Sequence, residues 1–154
     1  MSASRLLKIL AVGLAVIAAA ACDFSRNRED AEAFAERYFA ARQGDDVADA
    51  LAFYSPKFFD GTPRDQWLAT LRNLRDRCGT PTSHSLKNWM VTDQVGAASG
   101  STTTLTYEVK YASCRVSETL VVSRPEGGED KIIRHTLKLE ATTPDTAGSA
   151  GTSA

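Results

Sequence analysis

The chain has 154 residues, of which 43% are apolar and 24% are charged, and its formal net charge is −1. A protein that binds phosphate backbones needs a clustered basic surface, so nucleic acid is not expected as a partner. The length corresponds to one domain of ordinary size with a single core.

The first 21 residues are typical of a secretory leader. Arg5 and Lys8 supply the positive start, and residues 9–21 form an uncharged apolar run that ends in small residues. This run is shorter than the about 20 apolar residues of a membrane-spanning helix. We therefore predict that the leader is cleaved, which leaves 16 basic and 19 acidic residues and a formal charge of −3.

Cys22 stands where the apolar run meets the polar chain. It follows three alanines and resembles the cysteine of the bacterial lipoprotein box, which is acylated and becomes the new N-terminus. Ala19 replaces the usual leucine, so ordinary cleavage at an Ala-x-Ala site is the alternative. Acylation is favoured because it removes one thiol from a chain with three cysteines, and several acyl chains anchor a protein stably. We expect a lipid-anchored, periplasm-facing envelope protein, and Asp23 slightly favours the inner membrane.

Two helices are predicted at the start of the mature domain. The first has Asn27 as its N-cap and runs to about Arg42, with Gly44 ending it. A short second helix starts at Asp45 or Asp46. Helical spacing predicts one apolar face on each helix. The first is formed by Ala31, Phe34, Ala35 and Tyr38, and the second by Val47, Ala50, Leu51 and Tyr54.

The third helix is the clearest predicted element. Thr62 is its expected N-cap, Pro63 its first helical position, and Asp65 completes a capping box. Gly79 and then Pro81 end it. Steps of four, three and four predict a buried stripe of Trp67, Leu71, Leu74 and Cys78.

Beyond the third helix the apolar period changes from helical to two, which is typical of strands. The strands are predicted at residues 85–91, 104–111, 116–122 and 133–139. The inward-facing residues of the last strand are predicted as Ile133, His135, Leu137 and Leu139. Three helices followed by four antiparallel strands predict an α+β domain with helices on one face of a curved sheet.

The order of these elements resembles small exported bacterial domains of the cystatin-like, or nuclear transport factor 2-like, superfamily. The resemblance is carried by the runs YSPKFF, PRDQWLATLRNLRDRCGTP, SLKNWMV and LTYEVKYASCRVSETLVVSRPEGGEDKIIRHTLKLE. It implies a cystatin-like cone, with three N-terminal helices on a four-stranded antiparallel sheet, and it carries no catalytic signature. Such families commonly end with Gly-aromatic in the last strand, where this chain has Arg134 and His135.

The chain is thus predicted to have four segments. A leader at 1–21 precedes the acylated cysteine with a short linker at 22–27, and the α+β domain follows at 28–140. The tail at 141–154 is rich in Thr, Ser, Ala and Gly and lacks any large apolar side chain. Such a segment cannot offset the entropy lost on ordering, so we predict that it is disordered.

Two cysteines remain once Cys22 is acylated. A disulfide between Cys78 and Cys114 is the leading interpretation in an oxidising compartment, and two unpaired thiols are the alternative. The bridge would close a loop of about 37 residues and stabilise the fold by roughly 4 kcal/mol through chain entropy. The cysteines, His84 and His135 lack clustered ligand spacing, so neither a metal nor a cofactor is predicted.

Glu118 interrupts an apolar strand face formed by Val116, Leu120 and Val122. Hairpin parity places it opposite His135 or Leu137 on one side, and opposite Tyr107 or Val109 on the other. One interpretation makes Glu118, His135 and Tyr107 the acid–base set of a small isomerase or dehydratase. The favoured interpretation makes Glu118 a structural acid with hydrogen-bond partners, because no second carboxylate accompanies it.

The aromatic residues offer a further candidate site. Possible pocket-lining residues are Tyr38, Tyr54, Trp67 and Trp89, although aromatic residues at such spacing usually form core. The favoured function is a non-enzymatic envelope lipoprotein, in which the domain binds an envelope protein or a small apolar ligand. The small enzyme is the alternative, and a purely structural or assembly role is a third hypothesis.

Overall fold

The structure, a computed structural model, describes residues 25–94 and 99–140. The predictions for the leader at 1–21, for Cys22 and for the tail at 141–154 concern residues outside this part of the chain. In the described part, no helix has the length and apolar character needed to cross a membrane.

Helix α1 occupies residues 25–43 and ends just before Gly44, close to the predicted end. The prediction of Asn27 as N-cap is wrong, because the helix already contains residues 25–27, which were assigned to the linker. The Asn27 side-chain amide instead donates to the carboxylate of Asp93 at 3.3 Å. A tertiary contact therefore replaces the expected capping bond.

A short 3-10 helix follows at Val47–Phe53. The Asp46 carboxylate caps it by accepting the Ala48 N–H at 2.8 Å, which confirms one of the two predicted starts. A four-residue helix α2, Phe58–Gly61, was not predicted.

Helix α3 spans Arg64–Cys78. The predictions for its start are wrong: Pro63 is the N-cap residue rather than the first helical residue, and Thr62 does not cap the helix, so it forms no capping box with Asp65. The Pro63 carbonyl accepts the Trp67 N–H at 3.0 Å, so the helix begins one residue later than expected. The predicted stripe of Trp67, Leu71, Leu74 and Cys78 is buried, as expected.

Gly79 ends α3 with φ at +82°, a conformation that favours glycine. A Cβ at this position would also lie 2.7 Å from the Cβ of Ala112. The Sγ atoms of Cys78 and Cys114 are 2.14 Å apart and form the disulfide that the sequence favours. This bond joins the end of α3 to the loop that follows the second strand.

In the part of the chain that the structure describes, four antiparallel strands form a single sheet in the order β1-β2-β3-β4. Their bounds are β1 Pro81–Gln94, β2 Gly100–Tyr111, β3 Arg115–Pro125 and β4 Lys131–Leu139. The predicted α+β class with a four-stranded antiparallel sheet is therefore confirmed.

The register of β3 confirms the predicted neighbours of Glu118, which pairs with Tyr107 on β2 and with Leu137 on β4. A bulge in β4, opposite Val121 and Val122, leaves Ile133 without a partner on β3, and Ile132 beyond it is fully buried. Ile133 was expected on the inner face, but it is 38% exposed because the bulge reverses the alternation. Leu139, at the end of the edge strand, is also exposed.

The core lies between the helices and one face of the sheet. Its apolar members are contributed by all the helical segments and by β2, β3 and β4. Three threonines of β2, Thr102, Thr104 and Thr106, alternate with buried inward residues and lie on the other face. The inner face therefore holds the candidate polar site inside the core.

Candidate functional site: a buried polar ring and an open groove

Six polar side chains meet inside the core and form what we call the polar ring. They come from α1, from the end of the 3-10 helix and from three strands. The members are Tyr38, Arg42, Tyr54, Tyr111, Glu118 and His135. All six residues are buried, which places a carboxylate, a guanidinium and an imidazole together away from water.

Glu118 is the acceptor at the centre of the ring and is 0% exposed. Its Oε2 lies 3.1 Å from His135 Nε2, and its Oε1 accepts the Tyr111 hydroxyl. The Arg42 guanidinium lies 3.6 Å from Oε2 and supplies the opposite charge. The carboxylate is thus bound on both oxygens and neutralised within the protein.

Two series of hydrogen bonds, which we call the arms of the ring, connect Arg42 to Glu118. The shorter arm passes through Tyr111, and the longer arm passes through Tyr38, Tyr54 and His135. Its Nη2 donates to the Tyr111 hydroxyl at 2.8 Å, and its Nη1 donates to the Tyr38 hydroxyl at 2.7 Å. The Tyr38 and Tyr54 hydroxyl oxygens are 2.9 Å apart, and Tyr54 lies 2.7 Å from His135 Nδ1. The second arm therefore returns through the imidazole to the carboxylate.

The charge states of Glu118 and His135 follow from their surroundings. Burial alone would raise the pKa of Glu118, but the His135 hydrogen bond, the Arg42 charge and the Tyr111 hydrogen bond outweigh it, so the pKa lies below 4.5. Burial lowers the pKa of His135 below 6.5, although the Glu118 carboxylate opposes this shift. At neutral pH the pair is therefore a carboxylate and a neutral imidazole.

These charge states assign every proton of the longer arm. An ionised Glu118 only accepts, so His135 Nε2 carries the hydrogen, and the Nδ1 of the neutral ring accepts. Tyr54 must then donate to Nδ1, and Tyr38 must donate to Tyr54 while it accepts from Arg42. Each hydroxyl in this arm donates once and accepts once, so the hydrogen bonds run in a single direction.

Burial is also the first cause of the raised pKa values of Tyr38, Tyr54 and Tyr111. These phenols therefore stay protonated at neutral pH, as the directed hydrogen bonds require. None of them is a phenolate that would act as a base.

The structure brings together Glu118 and His135, two members of the predicted acid–base set. The third, Tyr107, is buried opposite Glu118, but its ring packs against Phe39 and His84 with centroids 5.1 and 5.6 Å away. The phenol that donates to Glu118 is instead Tyr111. Tyr107 is thus the strand neighbour of Glu118, but Tyr111 is its hydrogen-bond donor.

Sequence reasoning did not assign a role to Arg42. A signal was present, because Arg42 lies four residues after Tyr38 and hence on the same face of α1. It is 2% exposed, the position of a core residue. A cation at such a position indicates a buried anion, which here is Glu118.

The predicted pocket-lining aromatics are mostly packed. Tyr38 and Tyr54 belong to the polar ring, and Trp67 is buried with its ring edge-on to His135 at 5.3 Å. Trp89 is half-buried, and the Arg28 guanidinium lies 4.6 Å from its ring centroid. The first three fill the core instead of lining an open cavity.

An accessible apolar depression lies elsewhere, between α3 and β4, and we call it the α3–β4 groove. Its volume is about 420 Å³. The lining residues are Gln66, Ala69, Thr70, Asn73, Leu74, Arg77, Cys78, Leu137 and Leu139. Leu139 is 51% exposed, so apolar surface remains in contact with water here.

No protein-family model, curated protein or solved structure matches the chain. Among residues 25–94 and 99–140, no three His, Cys, Asp or Glu side chains are grouped as metal ligands would be. What the polar ring and the α3–β4 groove can do is therefore inferred from the residues that form them. The polar ring is buried, and its carboxylate and imidazole have hydrogen-bond partners, whereas Arg42 Nε has none within the described residues. The α3–β4 groove instead offers apolar surface to a ligand.

Proposed function

We propose that the chain is a non-enzymatic lipoprotein of the bacterial cell envelope, held by an acylated Cys22 and facing the periplasm. Its α+β domain, which we propose is cystatin-like, binds a partner in the α3–β4 groove. The observation that carries the proposal is the contrast between a sealed polar ring and an open groove on one domain.

The burial of the polar ring supports a role other than catalysis. A general acid or base has to come within about 2.6–3.2 Å of the group whose proton it moves, directly or through one water. The side chains of Glu118 and His135 are both 0% exposed, and their hydrogen-bonding atoms already have partners inside the ring. A substrate would have to displace core aromatic side chains before it reached either group.

The leader and the disulfide support an address outside the cytoplasm. The Cys78–Cys114 bond suits an oxidising compartment such as the periplasm. Helix α1 already includes residue 25, and three residues of chain span at most about 10 Å. An acyl group on Cys22 would thus hold the domain close to the membrane surface, with the inner membrane slightly favoured by Asp23.

The arrangement of layers supports the cystatin-like assignment. Helices α1 and α3 and the 3-10 helix all contribute buried residues to a core on one face of the sheet. The strands follow one another in chain order and are all antiparallel. The resemblance implies three helices before four antiparallel strands, and this order supports the assignment apart from the additional short helix α2.

One observation favours the enzyme alternative. Glu118 Oε2 and His135 Nε2 lie 3.1 Å apart, and the pKa values of both groups are lowered from their ordinary values. Shifted pKa values of this kind are common in acid–base groups of active sites. For this alternative, the core would have to open during turnover and admit a substrate beside the ring.

The anchor is tested by growing the native host with radiolabelled palmitate and comparing the wild-type chain with Cys22→Ala. We expect label in the wild type, no label in Cys22→Ala, and release of the variant from the membrane fraction. A Cys78→Ser/Cys114→Ser double variant is the matched control and should remain labelled. Equal membrane retention of wild type and Cys22→Ala, without label in either, would contradict the anchor.

The binding role is tested by placing a photo-crosslinking amino acid in the folded protein in its native envelope. Asn73 lines the groove, and Thr104 on the open face of the sheet is the control position. We expect discrete adducts from position 73 that are absent at position 104. Identical patterns at the two positions, or no adduct at position 73, would contradict a binding role of the groove.

A further inference from the structure

The free edge of β4 forms one wall of the groove. Among the residues that the structure describes, β4 is the last strand of the sheet, so one side of its backbone has no strand partner there. The Glu140 N–H donates to the Arg115 carbonyl at 2.9 Å, which directs residue 140 toward β3. By alternation, the N–H and C=O groups of His135, Leu137 and Leu139 point away from β3.

One end of this edge is already covered by the chain itself. Tyr54 forms a parallel bridge with Ile132, and the Ser55 N–H donates to the Ile132 carbonyl at 2.9 Å. The edge of β4 thus accepts a strand-like neighbour at its start. Beyond Ile132, no described residue pairs with the outer backbone edge of β4.

Helix α3 would form the inner wall behind a fifth strand added to β4. Ala69, Thr70 and Asn73 lie on a second, exposed face of the helix, and they line the groove together with Leu137 and Leu139. Because Ala69, Thr70 and Asn73 have short side chains, they leave space between α3 and the edge of β4. An added strand would therefore bury its inward side chains against α3, Leu137 and Leu139.

The charges around the edge are mainly positive. Arg134 and Lys138 are exposed on the outward face of β4, and Arg77 lines the groove. Within residues 25–94 and 99–140, none of these three cations makes a salt bridge. Glu140 is the acid beyond the end of the strand. The edge therefore complements an acidic partner.

We propose that the β4 edge binds an extended, acidic peptide segment of a partner protein as a fifth, antiparallel strand. Apolar side chains of the segment face the groove, and acidic side chains four residues apart lie opposite Arg134 and Lys138. The inference rests on the proposed binding role of the α3–β4 groove and adds the class of partner. Main-chain hydrogen bonds hold the segment, and alternate side chains select it.

The test uses the full chain in detergent with a peptide of sequence Val-Glu-Val-Thr-Val-Glu-Val. Binding is measured by fluorescence anisotropy, and amide exchange of the labelled protein is followed by NMR. We expect saturable binding in which the Leu137 and Leu139 amides become protected. The Thr136 and Lys138 amides already face β3 and should not change. Binding without protection of Leu137 and Leu139 would overturn strand addition.

Two control peptides separate the sources of affinity. A version N-methylated on the side that would pair with β4 keeps every side chain but cannot form the main-chain bonds, so it should not bind. A version with lysine in place of glutamate should bind about tenfold more weakly or worse. Equal binding of either control would overturn the proposal.

Matched variants of the protein test the charges. Arg134→Glu/Lys138→Glu should weaken binding of the acidic peptide about tenfold or more, and should restore binding of the lysine peptide. Arg26→Glu/Lys110→Glu makes the same charge change at exposed positions away from the edge and should have little effect. An equal loss in both variants would show a general charge effect and overturn the assignment of the edge.

Other occupants of the edge give different outcomes. Peptide binding that is seen only after deletion of residues 141–154 would make the chain's own tail the occupant. Protection of Leu137 and Leu139 that rises with protein concentration, without peptide, would make it a second copy. Both results overturn the acidic segment. Adducts from position 73 without peptide binding would remove this inference and leave the proposed function standing.

Discussion

Strand β3 carries two ion clusters of similar chemistry and different surroundings. Glu118 is paired with Arg42 at 3.6 Å, and their side chains are 0% and 2% exposed. Arg124, six residues further along β3, pairs with Asp30 at 2.5 Å and with Asp130, but its own side chain is 32% exposed. Water solvates the second cluster and cannot reach the first.

This difference decides what each cluster contributes to the fold. At Arg124 both acids raise the guanidinium pKa, yet solvent and salt screen pairs at the surface. At Glu118 the charge has to be compensated within the protein, and the polar ring does this with hydrogen bonds from Tyr111 and His135 and with the nearby Arg42 cation. The buried cluster is therefore a structural unit, and removal of one member leaves its partners unsatisfied.

The largest expected effect comes from Arg42→Met. This variant leaves the buried Glu118 carboxylate without its cation and removes the donor to Tyr38 and Tyr111. We expect the free energy of unfolding to fall by about 3–5 kcal/mol, measured by urea denaturation. Glu118→Gln in the same background should restore part of the loss, because the uncompensated charge is gone. A loss under about 1 kcal/mol would contradict the buried pair.

Removal of the disulfide comes next and tests whether the polar ring depends on it. The Cys78→Ser/Cys114→Ser variant should lose about 2–5 kcal/mol of stability in the same measurement. Because the ring has no cysteine member, the His135 resonances of the folded variant should match those of the wild type. Changed His135 resonances would show that the disulfide positions the ring.

Acid should weaken the buried cluster in two steps. The pKa of His135 is lower in the folded protein than its ordinary 6.5, so the unfolded state binds a proton first and stability falls as the pH drops below 6.5. The lowered pKa of Glu118 adds a further loss below pH 4.5. Each proton contributes at most about 1.4 kcal/mol per pH unit. Denaturation series at several pH values measure both steps.

A pair of histidine variants assigns the first step. His135→Gln cannot titrate and should lose the pH dependence that sets in below pH 6.5, whereas His84→Gln should keep it. If both variants keep the same dependence as the wild type, His135 is not its source.

The smallest effect is expected at Arg124. Arg124→Met removes the exposed cluster and should cost about 1 kcal/mol or less, and added salt should reduce the difference from wild type. A loss as large as that of Arg42→Met would erase the contrast between the two clusters.

Periodicity predicted the parts of the fold that depend on one buried face. The α3 stripe from Trp67 to Cys78 and the inner face of β2 were predicted because each repeats at the period of its element. The same alternation limited the neighbours of Glu118 to His135 or Leu137 on one side and Tyr107 or Val109 on the other, and the register selects Leu137 and Tyr107. These features can be read from the local sequence, because an element with one buried face needs apolar residues that repeat at the period of that element.

Features that depend on distant contacts were not predictable in this way. Asn27 bonds to Asp93 across the fold instead of capping its own helix. The bulge in β4 opposite Val121 and Val122 turns Ile133 outward, and no residue type at that point indicates it. The choice of Tyr111 over Tyr107 as the donor to Glu118 depends on side-chain directions that pairing alone does not specify.

The polar ring is tested most directly by NMR of the His135 imidazole nitrogens as a function of pH. The proton assignment requires the neutral ring with hydrogen on Nε2 at pH 7, and the same signals should persist below pH 6.5 for as long as the protein stays folded. A hydrogen on Nδ1, or titration near pH 6.5 in the folded protein, would contradict a sealed ring and reopen the enzyme alternative.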